Sequence, residues 1–181
     1  MRLSVLLLLV TLTACGYRFG DQGVLCHYRT IEVPFVCGDQ GGRLTEALVL
    51  ELARTGAIAY RSQGADLVLC AAVIDCGREN IGFQYDRNNQ GELTDRIVAN
   101  EGRLFLIVEV TLKDRWGYCL IGPTRFTAQA DYDFNPLSTD TELAPFSLGQ
   151  FTEIDQAEEV ALSPLYRDIA YKIIDYLRTY W

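Results

Sequence analysis

Hydrophobic and polar positions alternate most cleanly in Arg103-Leu-Phe-Leu-Ile-Val-Glu-Val-Thr-Leu-Lys113. Leu104, Leu106, Val108, Val110 and Leu112 share one parity, while Arg103, Glu109, Thr111 and Lys113 fall on the other. A period of two predicts a half-buried strand. Asp114-Arg-Trp-Gly117 reads as the tight turn of a hairpin. The returning strand runs to about Asp133, with Leu120, Phe126, Ala128, Ala130 and Tyr132 on its core side and Arg125, Thr127, Gln129 and Asp131 outward. Earlier, Ile31, Val33 and Phe35 alternate with Thr30, Glu32 and Pro34, a strand over 30–36 in which Pro34 marks an edge or a bulge. Residues 65–75 are apolar on both parities, as in a central strand covered on both faces or flanked by other elements. A polar stretch with 88–91 as its turn centre follows.

Two stretches carry helical spacing instead. Over 43–55, Leu44, Ala47, Leu48 and Leu52 share a face, and Gly56 stands where a C-terminal cap belongs. Over 156–178, Leu162, Tyr166, Ile169, Ile173 and Leu177 make one stripe. Ser163-Pro164 lies inside that run and has the form of a helix start, so the helix either begins or bends there. A long loop with Pro136 and Pro145 separates the last strand from this helix. The element order is β-α-β-β-β-α. It predicts an α/β chain of the α+β two-layer kind: a mixed four-stranded sheet with two helices packed on one face.

A chain of 181 residues with 49% hydrophobic and 11% aromatic content favours one globular domain. The net charge is −8, the only lysines are Lys113 and Lys172, and the arginines are scattered. Nucleic acid is excluded as a partner, since phosphate binding needs a concentrated basic face. Attachment to anionic lipid by charge alone is excluded for the same reason.

The N-terminus changes the picture. Arg2 precedes an apolar run, 3–13, that is too short for the roughly 20 residues a membrane span needs. It ends on Leu12-Thr13-Ala14-Cys15, an aliphatic residue, two small ones and a cysteine, which resembles the bacterial lipobox. This reads as a signal peptide over 1–14, cleaved between Ala14 and Cys15. Cys15 then becomes the first mature residue and carries a diacylglycerol and an N-acyl chain. Residues 15–29 form a lipidated lead-in, and 30–181 form the single domain. Gly16, rather than an aspartate, follows the cysteine and points to the outer membrane.

Little in the chain suggests catalysis. Cys26, Cys37, Cys70, Cys76 and Cys119 fit no zinc spacing, and most are expected to be buried thiols. Gly38-Asp-Gln-Gly-Gly-Arg-Leu-Thr45 sits between strand and helix, but its glycine spacing is wrong for a phosphate loop, with Arg43 in place of the lysine and Leu44 in place of the Ser or Thr. A helix N-terminus there is still open to an anion. Asp75, Glu79, Asp86, Glu92 and Asp95 read as a solvated acidic loop, and the only histidine is His27. No enzyme and no metal or redox cofactor is expected. Tyr176, Tyr180 and Trp181 either meet a membrane interface or partner, or simply dock the last helix.

The lipobox cysteine followed by Gly16-Tyr17-Arg18-Phe19 resembles the start of the LptE family, lipopolysaccharide-assembly lipoproteins of Gram-negative outer membranes. The short strand from Thr30, the helix around Leu44–Ala53, Gly64-Ala-Asp-Leu-Val-Leu69, the hairpin around Trp116 and the closing helix are similar to that family in order. The resemblance implies a non-catalytic plug inside the LptD β-barrel that also binds lipopolysaccharide through basic side chains. Arg87, Arg96, Arg115 and Arg125 are the phosphate partners proposed by charge and position, since none lies in a family motif. The alternative is a periplasm-facing lipoprotein that activates a peptidoglycan synthase or assembles a secretion pore. The short tether after Cys15 favours work at the membrane itself.

Overall fold

The computed structural model describes residues 23–87, 90–134 and 154–180. A 3-10 turn, Val24–His27, leads into β1, Thr30–Glu32. Helix α1, Arg43–Thr55, is followed by β2, Ala59–Tyr60, and β3, Leu67–Arg87. Strand β4, Leu93–Asp114, turns into β5, Cys119–Asp133, and helix α2, Ile154–Thr179, ends the described chain. The strands form one sheet in the order β2-β1-β3-β4-β5. β1 is parallel to β2 and β3, whereas β3–β4 and β4–β5 are antiparallel.

The mixed sheet with two helices is the expected two-layer architecture. It is one strand wider than the four expected, because β2 pairs beside β1 at the edge. A two-residue strand has no alternation to read. β1 is shorter than expected: only Thr30–Glu32 joins the ladder, and the chain touches β3 again through Cys37 opposite Ala72. Pro34 has no N–H to donate, which fits the interruption.

The core lies between helices and sheet. Leu44, Leu48 and Leu52 of α1 and Ile169, Ile173, Ile174 and Leu177 of α2 have no exposed surface. They face Leu106, Val108, Val110 and Leu112 of β4 and Leu67 and Leu69 of β3, all buried. Each such side chain contributes about 1.5–3 kcal/mol by leaving water. The alternation seen in the sequence of β4 is thus the alternation of covered and uncovered sheet faces.

One open alternative closes and two local expectations change. Helix α2 runs through Ser163-Pro164 without starting there. The proline removes the N–H that would reach residue 160, and Val160 is exposed, so water can take that carbonyl. On β5 the inward residue near the turn is Ile121 rather than Leu120. Leu112 pairs Ile121 while Val110 pairs Thr124, a bulge at Gly122-Pro123 that shifts the parity of the strand. The cysteines are not buried: Cys26, Cys37, Cys76 and Cys119 are exposed and Cys70 half-buried, and no disulfide joins any two of them.

The glycine-rich turn ahead of α1 carries positive φ at Gly38, Gly41 and Gly42. It folds Asp39 back over the helix, where Oδ2 accepts from the Thr45 N–H at 2.9 Å and the Thr45 hydroxyl at 2.8 Å. The anion at this helix N-terminus is the chain's own carboxylate.

Candidate functional site

Past Asp133↔Glu101 the sheet loses β5, and β3 and β4 continue as a two-stranded arm. Residues 83–87 carry it about 17 Å beyond the last β5 pair at 3.3 Å per residue. Phe83 lies opposite Ala99 and Tyr85 opposite Ile97. The two-residue period puts Phe83, Tyr85 and Ile97 on one face. Phe83 is 61% exposed, Tyr85 59%, Ile97 59% and Leu93 63%, so the arm bears an uncovered apolar ridge. Its outer end is polar. Arg96 lies 3.8 Å from Asp86, and the Thr94 hydroxyl donates to the Asp86 carbonyl.

The base of the arm is tied to the body by one network. Tyr132 donates its hydroxyl to Glu158 at 3.0 Å, and Arg78 meets the same carboxylate at 2.6 Å. Burial first, then the hydrogen bond to Glu158 and its charge, push the Tyr132 phenol up to about 12, so it stays a donor at neutral pH. Gly102 lets the ring lie flat, because a Cβ there would sit 2.4 Å from Tyr132 Cζ. β5, α2 and β3 are thereby fixed together where the sheet narrows.

The sheet face opposite the helices is polar and ion-paired. Arg103 grips Asp131 through two bonds of 2.6 and 2.9 Å, and that grip holds the Asp131 carboxyl below its ordinary range. Arg125 meets Glu109 at 3.0 Å. Phe105 and Ile107 stand half-buried on the same parity. The face therefore offers charge, hydroxyl and some apolar surface.

The four arginines considered from the sequence do not converge. Arg87 ends β3 in the arm, opposite Leu93, and Arg96 stands on the facing strand. Arg125 lies in the middle of the polar sheet face, paired to Glu109. Arg115 sits at the other end of the sheet, paired to Asp66 at 2.9 Å. Ala14 and Cys15 lie outside the described residues, as does Trp181. Tyr176 packs edge-on to Phe126 at 5.3 Å and Tyr180 stacks on Tyr176 at 5.2 Å, so these two rings dock α2. Among the described residues no group of side chains could hold a metal ion, and no helix is long and apolar enough to cross a membrane. The acidic residues near β3 are strung along the hairpin, with Glu79 opposite Arg103 and Asp86 beside Arg96.

A groove of about 610 Å³ opens between α1 and α2. Its Arg43 is already paired with Glu159 and its Arg54 with Glu51, so its charges are largely balanced internally. The arm's ridge escaped sequence reasoning, although Phe83-Gln-Tyr85-Asp does alternate. Of the residues that organise the two ends of the sheet, Asp66 was marked only by the Gly64–Leu69 stretch of the family resemblance, and Glu158 had no signal beyond its charge.

Comparison with known proteins agrees with this architecture. Among solved structures, a minor lipoprotein from Acinetobacter baumannii aligns with a TM-score of 0.53 at 16% identity, covering 83% of this chain and 91% of that one. A candidate lipoprotein from Caulobacter crescentus CB15 aligns with a TM-score of 0.51 at 20% identity, over 82% of this chain and 88% of that one. At these identities the likeness is one of fold. No curated protein sequence is similar enough to count as a match. The family model described as LptE, lipopolysaccharide-assembly, matches residues 28–177.

Proposed function

The chain belongs to the LptE lipopolysaccharide-assembly family, and from that membership we propose an outer-membrane lipoprotein that plugs and supports an LptD-type β-barrel. The barrel places lipopolysaccharide in the outer leaflet, and this chain holds and helps it from within. Acyl chains on Cys15 anchor it on the periplasmic side. The family match over 28–177 is the observation that carries the reading. The family is non-catalytic, and the role needs no reaction.

The physics of the surface supports it. Barrel lumens are polar, and the uncovered sheet face is a polar, ion-paired surface. The apolar ridge of the arm is surface left for a partner, since a lone two-stranded hairpin buries little of its own. Arg87 and Arg96, both in the arm, are the proposed lipopolysaccharide phosphate partners. Arg125 and Arg115 stand apart from them and would act as separate contacts.

Two measurements test this. A C-terminally tagged chain, extracted from outer membranes in mild detergent, should co-purify with one large β-barrel at equal stoichiometry. A peptidoglycan synthase, or a ring of identical subunits, would replace this reading with the alternative. Separately, Ala substitution of Arg87, Arg96 and Arg125 together should weaken lipopolysaccharide binding, and unchanged binding removes the arginine assignment.

A further inference from the structure

The sheet ends on one side at β2, which is two residues long, and on the other at β5. A very short edge strand offers little to pair with. β5 is different. From Thr124 to Asp133 its register with β4 is unbroken, a length of about 33 Å at about 3.3 Å per residue. In an antiparallel ladder successive residues turn their N–H and C=O groups to alternate sides. On β4 the even-numbered residues turn toward β5: the Asp114 N–H donates to the Tyr118 carbonyl at 2.9 Å, and the Asn100 carbonyl accepts from the Phe134 N–H at 3.0 Å. Their partners on β5 are even-numbered too, with Val108 opposite Phe126 and Leu106 opposite Ala128. Arg125, Thr127, Gln129 and Asp131 therefore aim their backbone groups away from the sheet.

That row is almost unbonded. Lys172 of α2 donates to the Thr127 carbonyl at 3.0 Å, and no other described residue bonds to the N–H or C=O groups of these four. Lys172 also meets Asp168 at 2.6 Å, so it keeps a partner on its own helix if it leaves the strand. Edge strands are ordinarily guarded by a bulge, a proline or charged side chains standing over the edge. On β5 the bulge and Pro123 lie before Thr124, toward the hairpin. The charged side chains are drawn back across the sheet onto β4, Arg125 to Glu109 and Asp131 to Arg103.

The row selects its own ligand. Donor and acceptor recur together at every second residue, about 6.6–6.8 Å apart, and the backbone of another extended polypeptide repeats them at the same spacing. The source of that polypeptide follows from the neighbouring surface. The exposed side chains of Arg125, Thr127, Gln129 and Asp131 belong to the polar sheet face, which the proposed function turns toward the lumen of a barrel. The edge is continuous with that face, so the barrel protein lies beside both. The strands of a barrel wall are already paired on both sides. The segment that can still offer a free backbone is one outside the wall, a loop or tail inside the lumen.

We propose that an extended segment of the barrel protein adds to the open edge of the sheet beside β5, bonding to the backbone of Arg125, Thr127, Gln129 and Asp131. The inference rests on the plug reading, and the test keeps the two apart. Hydrogen exchange is followed at single-amide resolution in the full chain, alone and in its co-purified complex with the barrel. Alone, the amides of residues 125, 127, 129 and 131 should exchange fast, while those of 126, 128 and 130 are slow. In the complex the first set should slow by at least about a hundredfold. A complex in which they stay fast overturns the added strand and leaves the plug reading standing. Slow exchange in the chain alone, or slowing that grows with its concentration, gives the edge to this chain or to a second copy and overturns the proposal. A chain that captures no barrel overturns the plug reading, and the added strand with it. Gln129→Pro checks the contact from the other side, because it removes an outward N–H that the fold does not use. It should melt with wild type and bind the barrel at least about tenfold more weakly, whereas Gln129→Ala, which keeps the N–H, should bind as wild type. Unchanged binding by Gln129→Pro, or equal weakening of both variants, overturns the backbone contact.

Discussion

β3 and β4 pass through two environments, and the same kinds of side chain have different fates in each. In the body, Leu106, Val108, Val110 and Leu112 lie under two helices and between flanking strands, with almost no surface left. In the arm, Phe83, Tyr85, Leu93 and Ile97 keep about three-fifths of theirs. Hydrophobic residues in the body hold the fold, while those in the arm contribute little to it and remain available to something else. A two-stranded hairpin is marginal alone. The order of the arm therefore depends on its ladder and on the Tyr132–Glu158–Arg78 network at its base.

The sharpest way to break this contrast is a pair of truncations. Leu48→Ala removes a fully buried side chain between α1 and the sheet and should lower unfolding free energy by about 2–5 kcal/mol. Phe83→Ala in the arm should change it by no more than about 0.5 kcal/mol. Denaturant melts of the two variants decide it. A comparable loss for Phe83→Ala would make the arm part of the core.

A smaller effect is expected at the junction. In Gly102→Ala the new methyl collides with Tyr132, whose ring is itself fixed by Glu158. A cost of about 1–3 kcal/mol is expected, as for overpacking. Gly122→Ala has open space and should stay within about 0.5 kcal/mol. Equal thermal melts for the two would mean that the Tyr132 network does not fix the base of the arm.

The smallest effect tests the opposite end of the body. The Thr30 hydroxyl first, then the backbone donors and Arg115, hold the Asp66 carboxyl below its ordinary range. A carboxyl lowered in the folded state adds stability that is complete above its unfolded pKa of about 3.9. That stability is lost as pH falls through the lower folded value. Wild type should therefore exceed Asp66→Asn in stability by a constant margin at neutral pH, and the margin should close in acid below about pH 4. Acid titrations followed by circular dichroism would show it. A gap that persists unchanged to low pH would mean that Asp66 acts through shape rather than charge.

The sequence by itself determined what burial writes into a local pattern. The two-layer class, the α1 limits at Arg43 and Thr55 and the inward row of β4 were legible because one side of each element is in water and the other is not. The family resemblance was legible because it is carried by residue strings rather than contacts. Only the tertiary structure decided the rest. The arm extends β3 and β4 well past their predicted ends, since an uncovered hairpin leaves little burial pattern to read. β2 exists only because β1 offers an edge. The bulge that turns Ile121 inward comes from register with β4. Helix α2 crosses Pro164 because packing of Leu165, Ile169 and Ile173 outweighs one lost hydrogen bond. The arginines separate, and Asp66 gathers residues 29, 30 and 115, because positions far apart in sequence meet only through the pairing of strands.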